Sequence, residues 1–126
     1  FNIPALSLRV TASASQLDAV LKGFSVLSGL CTELAELADG SAADLAAAAE
    51  TLAARAGECR SLAGSLSGAS GTAGQLSGAL LDAAACLDEA GSTARSENKV
   101  EFSAALKYTY IVVVCSCAEL AGAIAA

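Results

Sequence analysis

Apolar side chains recur along most of this chain at steps of three and four, the spacing that lines up one face of an α-helix. Leu17, Val20, Leu21, Phe24, Leu27, Cys31, Leu34 and Ala38 form such a stripe, while Asp18, Lys22, Glu33 and Glu36 lie largely off it. The spacing predicts a first helix over about 13–38. Gly40 suits the left-handed position past its end, and Ser41 with Asp44 reads as a capping box that opens the next helix. Leu45, Leu52, Cys59 and Leu66 then repeat at sevens, with Ala48 or Ala49, Ala56 and Leu62 between them, which predicts a coiled-coil-like seam over about 42–67. Gly68 and Gly71 break the pattern, and Thr72 with Gln75 offers a second capping box. Leu76, Leu80, Ala83, Leu87 and Ala90 give a third stripe over about 73–90, closed by Gly91 and followed by the polar run "STARSEN" as a loop. Asn98 with Glu101 signals the next cap, and Phe102, Leu106, Tyr110, Val113, Cys117, Leu120 and Ile124 share one face of a fourth helix over about 99–124.

Four amphipathic segments joined by short loops predict an all-α fold, a four-helix up-down-up-down bundle formed by one domain over residues 1–126. Two helical hairpins that complete their core only in a dimer are the competing arrangement. Residues 1–10, "FNIPALSLRV", contain the only proline and show no helical period, so they read as an extended arm leading into the bundle.

The stretch "KYTYIVVVCSCAEL", from Lys107 to Leu120, admits several readings. Its β-branched run leaves helix and strand both open over 108–118. The uncharged run between Lys107 and Glu119 is 11 residues, against about 20 for a spanning helix, so an integral membrane span is not expected. On a helix, Cys115 and Cys117 point about 200° apart and cannot share one ion. More informative is a second apolar face: Tyr108, Ile111, Val112 and Cys115 lie opposite or beside the core stripe. A helix apolar all round needs contacts on both sides, so these four residues are the candidate interface.

Composition narrows the chemistry. The chain has 126 residues, 55% of them hydrophobic and only 4% aromatic, which favours helices packed through Ala and Leu. Its net charge of −6, with no cluster of Lys and Arg, argues against nucleic acid as a partner. There is no His, which removes Ser/His and Cys/His catalysis and imidazole metal ligation within the chain. The acidic pairs Asp88 with Glu89 and Glu33 with Glu36 read as solvated faces, and "GSLSGASGTAG" follows no strand and lacks the Lys of a phosphate loop. No metal, cofactor or catalytic residue is expected.

Cys31, Cys59, Cys86, Cys115 and Cys117 make an odd set, so at least one is free or pairs outside the chain, and spacing alone fixes no connectivity. A first residue other than Met suggests a removed leader, hence a secreted or organelle-lumen protein, whereas cysteines buried in helical stripes suit reduced thiols. The expected function is a non-enzymatic structural or protein-interaction bundle, a subunit of a larger assembly or homo-oligomer engaged through the apolar face of the fourth helix. The alternative is a carrier of an apolar small molecule, a lipid or pigment, between the helices, with Tyr108 or Tyr110 offering a hydroxyl to its polar end.

Overall fold

The computed structural model describes residues 14–39 and 44–125, and the side chains of 16–38 and 44–123. Four helices make up nearly all of it: α1 (Ala14–Asp39), α2 (Leu45–Ser65), α3 (Gly71–Arg95) and α4 (Lys99–Ala125). Short connections force each helix to run back along its predecessor. α2 packs on α3, α3 on α4, and α4 on α1, with α1 also meeting α2, so the expected four-helix bundle is the architecture. The extended arm expected at 1–10 and the cap residue Ser41 lie outside the described residues.

The run over 108–118 is helix throughout. Its β-branched residues have weak helix propensity, but packing overrides it: Phe102, Leu106, Val113 and Leu120 are buried in one line against the neighbouring helices. Thr109 completes that line at 1% exposure, in the place the sequence pattern gave to Tyr110, which is 39% exposed. The hydroxyl makes the choice possible, because it donates to the Ala105 carbonyl at 2.7 Å and reaches the Cys86 carbonyl of α3 at 3.3 Å. A phenol at the same position would have to bury a larger polar side chain.

The helix ends differ from the expected ones for local reasons. α2 begins at Leu45 with Asp44 itself as cap, its carboxylate accepting from the Ala47 amide at 3.0 Å. Thr72 and Gln75 form no capping box: α3 already begins at Gly71, after Ser70, whose side chain makes no cap bond. Asn98 does cap α4, accepting from the Glu101 amide at 3.0 Å. The largest difference is at Gly91, which does not close α3; the helix runs on to Arg95. Gly91 is buried where α3 meets α2, and a β-carbon there would stand 3.8 Å from Leu52 Cβ and 3.9 Å from the Ala49 carbonyl oxygen. Those are ordinary van der Waals distances, so Gly91 simply packs inside the helix, and the turn falls instead at Glu97, whose φ of 59° is left-handed.

Leu27, Leu30 and Leu34 of α1, Leu52 of α2, Leu66 just past its end, and Leu76, Leu80 and Leu87 of α3 are among the largest buried apolar side chains, with Phe24, Phe102 and Leu106. Each such Leu contributes about 1.5–3 kcal/mol by burial. Between them α2 and α3 interpose Ala48, Ala49, Ala56, Ala83, Ala84 and Ala90, small residues that bring the two axes close.

Candidate interaction face on the fourth helix

α4 turns one face into the bundle and leaves another uncovered. Tyr108 is 64% exposed and Ile111 58%, with Val114 and Cys115 beside them on the solvent side. Val112 is half-buried at the edge toward α3. Of the four residues singled out by sequence, three therefore share the open face and Val112 sits at its margin. Tyr110, which the three- and four-residue spacing put on the core stripe, belongs with this face, as does Val114. At about 100° per residue, the line through Leu106, Val113 and Leu120 places Tyr110 at the edge of the core and Val114 well outside it. Only about a fifth (22%) of the most apolar window in Lys99–Ala123 is buried inside the bundle, and that segment has the length and composition of a membrane-crossing helix.

The open face continues onto α1. Leu34, Ala35 and Ala38 meet Lys107, Tyr110 and Ile111 around a shallow groove of about 430 Å³. Its walls are apolar, and the Lys107 ammonium stands at the rim. Of its α4 residues, Ile111 was legible as an interface position and Tyr110 as a hydroxyl for an apolar ligand, whereas the α1 residues were not, because their contribution depends on which helix lies beside α4. Two other grooves follow the α1–α2 seam, lined by Lys22, Ser25, Glu58 and Ser61 in one, and by Glu33 and Arg55 in the other. Both also carry apolar side chains, Val26 and Leu62 in the first and Val26 and Leu30 in the second, so their linings are mixed.

The charged residues act as clamps between helices. Arg55 of α2 makes a two-pronged contact with Glu33 of α1, at 2.9 Å and 3.2 Å, and this hydrogen bond with its attendant charge holds the guanidinium protonated even more firmly than usual. Arg60 of α2 pairs with Asp88 of α3. Partly exposed pairs of this kind contribute at most about 1 kcal/mol each, and they occupy the carboxylates that would otherwise be candidates for acid–base work.

All five cysteines are free thiols. Cys59 is fully buried, and burial pushes its thiol up to about 11. Burial also raises the half-buried Cys86 thiol. Cys115 is exposed on the open face, whereas Cys117, two residues on, turns inward toward α1. There its Sγ lies 4.0 Å from the Sγ of Cys31. Burial, with the Cys31 thiol adding to it, pushes the Cys117 thiol up to about 12. Among the described residues no group of three or more His, Cys, Asp or Glu side chains could hold a metal ion.

Comparison with known proteins finds no matching family, no matching curated protein and no matching solved structure.

Proposed function

We propose that this chain is a non-enzymatic structural bundle that assembles with a protein partner, a second copy of itself in the first instance, through the open face of α4. The observation that carries this reading is the exposure of Tyr108, Ile111 and Val114 side by side on a helix whose opposite face already fills the core. Leaving such a stripe in water forgoes burial worth about 25 cal/mol per Å² of apolar surface, which a second bundle would recover. Lys107 and Glu119 flank the stripe about three turns apart. Two copies meeting antiparallel along α4 therefore set opposite charges at the same level, the self-complementarity that a two-fold interface requires. A bilayer is the less favoured cover, because both charges border the stripe and the acidic chain is repelled by anionic headgroups.

Sedimentation equilibrium of the wild-type chain and of Ile111→Glu tests the proposal. The wild type should associate, and the variant should associate at least tenfold more weakly at unchanged helicity and melting temperature, since the side chain is exposed. A monomeric wild type overturns it, as does association indifferent to the substitution. Co-sedimentation with neutral lipid vesicles, lost in the variant, would assign the face to a membrane instead.

The groove between α1 and α4 supports a second reading, carriage of an apolar molecule with an anionic end set against Lys107. Its volume lies within the range of small-molecule sites, about 300–1,000 Å³. Native mass spectrometry should then show a small adduct that is lost on denaturation.

A further inference from the structure

We propose that Cys31 and Cys117 are a built cross-linking site, two thiols placed so that a disulfide oxidant joins α1 to α4 within one chain. The two Sγ atoms lie 4.0 Å apart although the residues are 86 positions apart in sequence. A disulfide needs about 2 Å between sulfurs, so the remaining gap is of the size that side-chain rotation spans. Both residues are half-buried, so a small oxidant reaches them, and the Cys31 thiol now donates only a long contact to the Leu27 carbonyl at 3.5 Å. The other three cysteines are placed differently: Cys59 is sealed in the core, Cys86 stands on α3, and Cys115 faces outward.

The chemistry balances with a low-molecular-weight disulfide such as glutathione disulfide as the oxidant. The Cys31 thiolate attacks one sulfur of the oxidant, breaks its S–S bond and expels one thiolate, leaving a mixed disulfide on Cys31. Cys117 then loses its proton and attacks Cys31 Sγ, expelling the second thiolate. Two protein thiols are oxidised by two electrons, the oxidant is reduced to two thiols, and the two protons released pass to the expelled thiolates.

The cross-link closes a long loop and fixes the two helices that frame the α1–α4 groove. The test is incubation of the full chain, in the Cys115→Ser background to remove links between chains, with glutathione disulfide or with dithiothreitol. Free thiols are then alkylated and peptides are mapped without reduction. The expected result is one peptide pair joining Cys31 to Cys117, and a melting temperature about 5 °C or more above that of the reduced chain. Cys117→Ser should abolish both the link and the shift. Alkylation of both cysteines after oxidation, a link from Cys31 to any other cysteine, or an unchanged melting temperature would overturn the proposal. The peptide map reads the unsubstituted pair directly, so it does not depend on the Cys117 variant folding.

Discussion

Cys59 shows how one side chain couples the core to solution conditions. It stands in the heptad seam of α2 at 0% exposure, and burial lifts its thiol to about 11. In the unfolded chain the same thiol loses its proton near its ordinary value, about 8.5. Between these two values the unfolded state binds fewer protons than the folded state, so stability is fully present below the lower value and is lost as pH rises toward the upper one. The urea midpoint should therefore fall between about pH 9 and pH 11. Cys59→Ala should flatten part of that fall while lowering stability at pH 7 by about 1–2 kcal/mol through the cavity it leaves. An identical slope in the variant would show that another group drives the loss. The seam position of Cys59 was readable from spacing alone, because sevens sustained over about six turns leave little choice of face. Thr109 was not readable: a threonine is as common outside a helix stripe as within it, and its place in the core depends on backbone carbonyls that only the folded neighbours present.

At the level of the helix, start and stop signals were each legible in part: Gly68 follows α2 with a φ of 81°, whereas Thr72 with Gln75 does not cap α3. Asp44 and Asn98 carry short polar side chains that serve free amides, and both do so, although Asp44 acts as the cap itself. Asp44→Ala should cost about 1 kcal/mol, visible as a lower melting temperature, with Asp44→Asn recovering most of the loss. No change in the alanine variant would mean that packing against α3 alone sets the start of α2. Gly91 misled because glycine has two uses that look alike in a sequence. It ends helices by adopting positive φ, and it lets two helices touch by having no side chain. Gly91 does neither: it is buried within α3 with no positive φ, and a β-carbon there would meet Leu52 and Ala49 at ordinary contact distance, which only the packed neighbours reveal. The same limit applied to the interaction face: the periodicity of α4 marked Tyr108, Ile111 and Cys115 as surplus apolar positions, whereas Leu34, Ala35 and Ala38 join them through the packing of α1.

Across the whole molecule the four helices are not held alike. α3 is gripped by α2 on one side and α4 on the other, whereas α1 leans chiefly on α4 and meets α2 across a seam with open grooves. Native-state hydrogen exchange should find α1 amides opening at lower free energy than those of α2 and α3. Uniform protection over all four helices would contradict that order. The arrangement also bears on how the chain is made. α1 leaves the ribosome first of the four, yet its main partner α4 leaves last, so Phe24, Leu27 and Leu34 must wait uncovered while α2 and α3 close on each other. The interval between the first helix and the fourth is thus the period when a nascent chain is most open to capture by a chaperone or by a neighbouring copy.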